Sequence, residues 1–153
     1  MLSDVSTGDI MIIDDTPENL RLLGTMLGER GFRVRPMPNG ALALRAAEYS
    51  PPDLFLLDIT MPGMDGYEVC RQLKADERLR DIPVIFVSAL NSLDEKVKAF
   101  ETGGVDYVTK PFQFEEVMAR VRTHLELRQL RLSLQTHNEQ LSDLVKTQVK
   151  EIS

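Results

Sequence analysis

The sequence has one cysteine, Cys70, and no tryptophan. A single thiol excludes an intramolecular disulfide and suits a reducing cytosol, so a cytoplasmic location is expected. Histidine is scarce, with two in 153 residues, and no Cys/His set with zinc spacing occurs. Basic residues are outnumbered, 18 Lys and Arg against 24 Asp and Glu, for a net charge of -6. That balance argues against a nucleic-acid-binding surface, which is normally basic. It also fits a metal site counted without its cation. No apolar run approaches the roughly 20 residues of a membrane span. Met1 to Asp9 lacks a basic n-region and a long apolar h-region, so no signal peptide is expected. The remaining composition, 42% hydrophobic and 27% charged, is that of a soluble globular protein. Its length suits one core-bearing domain plus an appendage.

The apolar residues come in short runs that end on chemistry. Asp14 and Asp15 follow Ile10-Met11-Ile12-Ile13, and Asp58 follows Leu54-Phe55-Leu56-Leu57. Ser88 follows Val84-Ile85-Phe86-Val87, and Lys110-Pro111 follows Val105-Asp106-Tyr107-Val108-Thr109. If the runs are parallel strands, these residues meet at one edge of one sheet, where open α/β folds bind ligands.

Amphipathic segments alternate with the runs about five times before residue 125. Thr16-Pro17-Glu18 reads as a cap, an N1 proline and a first-turn acid. Leu20, Leu22, Leu23, Met26 and Leu27 follow at helical spacing, and Gly31 stands at a C′ position. Phe32 to Pro36 alternates as an edge strand. Asn39 caps a helix reaching Tyr49. Asp53 to Leu57 is apolar enough for a strand covered on both faces. Tyr67 to Lys74 is the next helix, and Ile82-Pro83 opens the fourth strand. Asp94 to Thr102 is a helix closed by Gly103-Gly104, and a short strand lies near Val105 to Val108. The fold class is therefore α/β with a parallel sheet and right-handed crossovers.

From Phe114 the chain lacks Gly and Pro, which predicts one helix of about 39 residues, roughly 58 Å long. Leu127, Leu130, Leu134, His137, Leu141 and Leu144 follow the three-four spacing of a heptad seam. Val145, Val149 and Ile152 mark a slip in phase. Ser153 follows without a convincing C-cap, which suggests a piece of a longer protein.

Clustered carboxylates repel one another, and a hard dication relieves that repulsion. Oxygen-only ligands favour magnesium over zinc. Asp58 can then serve as nucleophile for phosphoryl transfer, because carboxylates form acyl phosphates. Asp14 and Asp15 can hold the metal, Ser88 offers a hydroxyl, and Lys110 a point charge. Singly, each has a plainer role. An acid after a strand is usually a cap or turn residue, Ser88 a turn hydroxyl, Lys110 a solvated lysine and Tyr107 an amphipathic edge-strand residue. Those roles would have to coincide at four successive strand ends.

With Ile12-Ile13-Asp14-Asp15, Leu56-Leu57-Asp58-Ile59-Thr60-Met61-Pro62-Gly63-Met64-Asp65-Gly66, Val87-Ser88-Ala89 and Lys110-Pro111-Phe112, the chain closely resembles the receiver domain of bacterial two-component response regulators, the CheY-like superfamily. The resemblance covers about Asp9 to Leu127. It implies a flavodoxin-like, doubly wound five-stranded sheet of order 2-1-3-4-5, with residues 1–125 as receiver and 126–153 as a helical coiled-coil linker toward an output domain. It implies phosphorylation at Asp58, with Ser88 and Lys110 as its catalytic companions. Mg2+ would be held by Asp14, Asp15, Asp58 and the Thr60 carbonyl, with Ser88 and Tyr107 as switch residues and a cis Lys110-Pro111 bond. The donor is expected to be a histidine kinase or phosphotransfer protein. Autophosphotransfer and auto-dephosphorylation would be the chain's only chemistry, and neither nucleic acid nor membrane is expected to bind it. The seam predicts a homodimer through the C-terminal helix.

Thr60 departs from the polar amide common at that position, and Leu90, two residues past Ser88, is apolar. Both flank the path of a hydrolytic water. Two rival readings are a magnesium-dependent phosphatase with an aspartyl-phosphate intermediate and a stand-alone phosphoryl shuttle. The phosphatase class of the haloacid dehalogenase type spaces two acids two residues apart after its first strand, whereas Asp14 and Asp15 are adjacent. A shuttle has little use for an exposed seam. The long helix resembles linkers before cyclic-dinucleotide cyclase or phosphodiesterase domains, the HD-GYP phosphodiesterase type first among them.

Overall fold

A computed structural model describes residues 8–152, with side chains described as far as 146. Five strands alternate with five helices: β1 (Asp9–Ile13), α1 (Pro17–Gly28), β2 (Arg33–Met37), α2 (Gly40–Tyr49), β3 (Leu54–Asp58), α3 (Gly66–Ala75), β4 (Val84–Ser88), α4 (Leu93–Thr102), β5 (Asp106–Thr109) and α5 (Phe114–Ile152). Every pairing is parallel, in the order β2-β1-β3-β4-β5. The chain has the flavodoxin-like topology.

The alternation of side chains along each strand explains the layering. Met11, Ile13, Phe55, Leu57, Val84 and Phe86 point to one face, where Ala43, Ala47, Val69, Cys70, Leu73 and Ala99 of α2, α3 and α4 cover them. Ile10, Ile12, Leu54, Leu56, Ile85, Val87 and Val108 point to the other, against Leu23, Leu27, Val117, Val121 and Leu125 of α1 and α5. β3 and β4 are buried at every position, which is why their sequences do not alternate. β2 is the partly exposed edge that tolerates Pro36.

Caps fix the helix starts. Asn39, Asp65 and Ser92 accept from the backbone N–H groups of Leu42, Glu68 and Glu95. Thr16 occupies the cap position of α1, but its hydroxyl makes no capping bond. The backbone N–H of Thr16 itself donates to the Asp14 carboxylate, at 2.9 Å. Regular helix in α1 stops at Gly28, before the expected Gly31. Gly31 closes the turn beyond it at φ 96°, with its N–H on Gly28 O and the Phe32 N–H on Leu27 O. β4 begins at Val84 rather than Ile82, since Pro83 contributes a carbonyl, to Phe55 N–H, but no donor.

α5 runs 39 residues. Its first part is rooted in the core by Val117, Met118, Val121 and Leu125, and from Leu127 to Val145 its apolar side chains are exposed. Met1 to Thr7 and the side chains of Val149 and Ile152, where the sequence suggests a phase slip, lie outside the described residues. Among the described residues no helix is long and apolar enough to cross a membrane.

Candidate functional site

The sheet register brings the strand ends level. Ile13 pairs with Leu57, Asp58 with Val87 and Ser88 with Thr109. The residues just after β1 and at the ends of β3 and β4 therefore share one edge with the residue just after β5. Oxygen atoms of Asp14, Asp15 and Asp58 lie within 4.8 Å of one another, with Asp15 exposed and the other two buried. The Lys110 ammonium reaches between the buried pair, 3.1 Å from Asp14 Oδ2 and 3.3 Å from Asp58 Oδ1. Three carboxylates thus face one cation.

The acidity of Asp58 follows from its burial first and from these charges second. Burial pushes its carboxyl up to about 6, and the neighbouring Asp14 charge adds to the effect. Lys110 pulls the other way without cancelling it. The group is still mostly ionised at pH 7, and it is more basic than an ordinary carboxylate. Asp14 is held by the Thr16 N–H and, at 3.3 Å, by the Asn19 amide. Asn19 escapes a motif reading. The signal is that α1 starts directly after the acids, so its first turn faces them.

Ser88 and Tyr107 form an adjoining group. The Ser88 hydroxyl oxygen accepts from Leu90 N–H at 3.1 Å. The Tyr107 hydroxyl donates to the Leu90 carbonyl, and the ring is buried. Burial raises the Tyr107 phenol, while the nearby Ser88 hydroxyl acts against the rise. The Lys110 N–H donates to Ser88 O at 2.7 Å, joining the two groups through the backbone. The Lys110–Pro111 peptide bond is cis. Thr60 is exposed, two residues beyond Asp58 in the loop toward α3. That loop returns closely on β3, and a Cβ at Gly66 would collide with the Asp58 carbonyl and the Ile59 Cα. Beside the acids, Asn19, Leu22, Ala89, Lys110, Pro111 and Phe112 line a groove of about 360 Å³.

The sequence model of the response regulator receiver domain matches residues 10–122, so the chain belongs to that family. It is a receiver domain of the two-component type. Its relatives include RpaA, a DNA-binding dual master transcriptional regulator of Synechocystis, 41% identical over 116 residues, covering 76% of this chain and 48% of RpaA. A probable cyclic di-GMP phosphodiesterase of Vibrio cholerae is 36% identical over 140 residues, covering 92% of this chain and 32% of that protein. The chain thus spans about half of the first relative and about a third of the second. Among solved structures, the receiver domain of a Pseudomonas aeruginosa sensor histidine kinase superposes with a TM-score of 0.73 at 29% identity, covering 78% of this chain and 98% of that one. That structure is described with a magnesium ion coordinated in its active site cleft.

Proposed function

We propose that Asp58 accepts a phosphoryl group from a histidine kinase or phosphotransfer protein. The observation that carries this reading is the cluster of three carboxylates gathered within 4.8 Å around a single lysine. The Asp58 oxygen attacks phosphorus as the bond to the donor's imidazole nitrogen breaks, and that nitrogen keeps the electron pair. Burial favours the step, because an ionised carboxylate with a raised pKa is a stronger nucleophile. Lys110, already beside Asp58, offsets the charge on the incoming phosphoryl oxygens.

The donor set fits Mg2+, since it is all oxygen, crowded and under-neutralised. Asp14, Asp15, Asp58 and the Thr60 carbonyl would hold the ion, as one is held in the cleft of the Pseudomonas receiver. When bound, it would supply positive charge to the phosphoryl oxygens.

Ser88 and Tyr107 carry the response. On phosphorylation the Ser88 hydroxyl turns from Leu90 N–H toward a phosphoryl oxygen. Leu90, whose carbonyl holds Tyr107, then shifts, and the tyrosine with it. Residues 1–125 form the receiver and 126–153 the linker that passes the change on.

The linker acts as a parallel dimer with a second copy of this chain. Leu130 and Leu134 are 61% and 62% exposed, and the seam from Leu127 to Leu144 is complementary to itself. Each leucine fully buried there contributes roughly 1.5–3 kcal/mol. The output is a cyclic-dinucleotide phosphodiesterase, supported by the Vibrio relative, whose 140 matched residues reach further than the 116 of RpaA. Outside that domain the chain's own chemistry stops at autophosphotransfer and loss of the phosphoryl group, and it works in the cytoplasm.

Incubation with acetyl phosphate and Mg2+ should add one phosphoryl mass, with no gain in EDTA or in Asp58→Ala. Labelling that survives either change overturns the assignment. Sedimentation should show a dimer for this chain and a monomer for one ending near Leu127. Monomers from both overturn the seam reading.

A further inference from the structure

α4 is thinly founded. Ala99 is its one buried residue, while Leu93, Val97 and Phe100 are exposed. A helix that buries so little apolar surface depends on its polar contacts to stay in place. Its C-terminal end is tied to α3, with the Cys70 thiol 3.7 Å from Thr102 O and Gly103 packed against Lys74. Its N-terminal half is gripped through one side chain of α3, Tyr67. The Tyr67 ring is buried and lies 5.6 Å from Phe86. Lys98 Nζ stands over the ring, 4.4 Å from its centre. Its hydroxyl donates to Glu95 Oε2 at 2.5 Å, and lies 3.4 Å from the Glu95 carbonyl. Glu95 and Lys98, one turn apart on α4, thus hold Tyr67 by tip and face. The Glu95 backbone is itself fixed by the Ser92 cap, at 3.2 Å.

Tyr67 follows Gly66, whose N–H donates to Ile59 O at 2.8 Å and whose Cα has no room for a side chain beside the Asp58 carbonyl. The first turn of α3 is therefore built directly on the backbone of Asp58 and Ile59. Among the described residues, two routes link the strand ends around Asp58 to α4. One runs along β4 through Ser88, Leu90 and Tyr107. The other runs through Gly66 and Tyr67 to Glu95.

We propose that Tyr67 is a positioning residue of this receiver, whose bond to Glu95 holds the N-terminal half of α4 in the resting position and must yield when α4 responds to Asp58. The gating half of this statement rests on the reading of Asp58 as phosphoacceptor; the resting tie does not. A hydrogen bond to a charged acceptor is roughly twice as strong as a neutral one. It is also local, so its loss should loosen α4 and leave the sheet alone.

Amide exchange of segment 93–102 tests this in the full chain. Wild type, Tyr67→Phe and Glu95→Gln are compared with and without acetyl phosphate and Mg2+. Tyr67→Phe keeps the ring on Phe86 and removes only the donor. Without phosphate, its exchange in 93–102 should be about tenfold faster than wild type, as for one lost hydrogen bond to a charged group, with β1 and β3 unchanged. Glu95→Gln retains an acceptor and should fall between. With acetyl phosphate, the wild-type rate should rise toward that of Tyr67→Phe, which should change little further. Wild-type exchange in unphosphorylated Tyr67→Phe overturns the tie. Equal acceleration in β1 and β3 also overturns it, because that is a general loss of stability. A phosphate-dependent step as large in Tyr67→Phe as in wild type overturns the gating role. A chain that never labels at Asp58 sinks the phosphoacceptor reading and the gating role together, while the phosphate-free comparison still decides the tie.

Discussion

Both ends of the sheet carry clusters of charged residues, and the two are built on opposite principles. At the N-terminal end, Asp9 pairs with Arg35 at 3.0 Å, and Arg35 also donates to Ser50 O. Asp53 accepts from the Asp9 N–H at 2.8 Å and faces Arg128 at 3.9 Å. Two acids meet two bases, and each arginine also donates to a backbone carbonyl, Arg35 to Ser50 and Arg128 to Asp81. At the C-terminal end, Asp14 and Asp58 share Lys110, with Asp15 beside them. The first cluster is neutral and fastens the strands and the root of α5. The second stays over-negative, and burial, with the Asp14 charge beside it, holds Asp58 well above its ordinary range. A charged cluster that satisfies itself is architecture. One left under-neutralised in a buried position is set for a cation or a reaction.

Neutralising one charge at each end should therefore act with opposite sign. The larger effect is expected from Asp58→Asn. The folded state holds the Asp58 proton more tightly than the unfolded chain, since its pKa is raised from 3.8 to about 6. Folding takes up a proton between those values, so stability falls as pH rises through that window, and the full penalty stands above it. In EDTA, Asp58→Asn should thus exceed wild type by on the order of 3 kcal/mol at pH 7, with the gain vanishing near pH 4. Denaturant unfolding at the two pH values measures it, and a variant less stable than wild type at pH 7 would break the comparison.

Next in size is magnesium affinity. Outer-sphere partners of a metal are worth 10–100-fold, so removing a proposed ligand in Asp15→Asn should weaken Mg2+ by at least roughly tenfold. Titration followed by heat or fluorescence reads this, and an unchanged Kd would place the ion elsewhere. The smallest effect belongs to the other end. Arg35→Gln should destabilise by about 1 kcal/mol, the worth of a partly exposed pair with a backbone hydrogen bond. It should leave Mg2+ binding untouched. A stabilised Arg35→Gln would mean that the N-terminal cluster is not the balanced one.

Much of this was legible in the chain itself. The buried strands β3 and β4 announce themselves as unbroken apolar runs, and each ends on a residue proposed for the site. The full length of α5 follows from the absence of Gly and Pro after Phe114. Contacts between residues distant in sequence were not legible. Nothing local marks Tyr67 as the partner of Glu95, 28 residues on, or Asp53 as a brace for Asp9, 44 residues back. Thr16 shows the limit of propensity, since it stands at the cap position of α1 and its hydroxyl caps nothing. The inward position of Tyr107 depends on a carbonyl at Leu90 that any residue could supply.

The central claim is that the unbalanced cluster makes one carboxylate, Asp58, the acceptor. Borohydride reduces an aspartyl phosphate to homoserine and so marks the labelled residue. After treatment with acetyl phosphate and Mg2+, reduction and digestion, homoserine should be found at position 58 and at neither 14 nor 15. Homoserine at either of those positions, or none in a protein that has gained phosphoryl mass, would contradict the account.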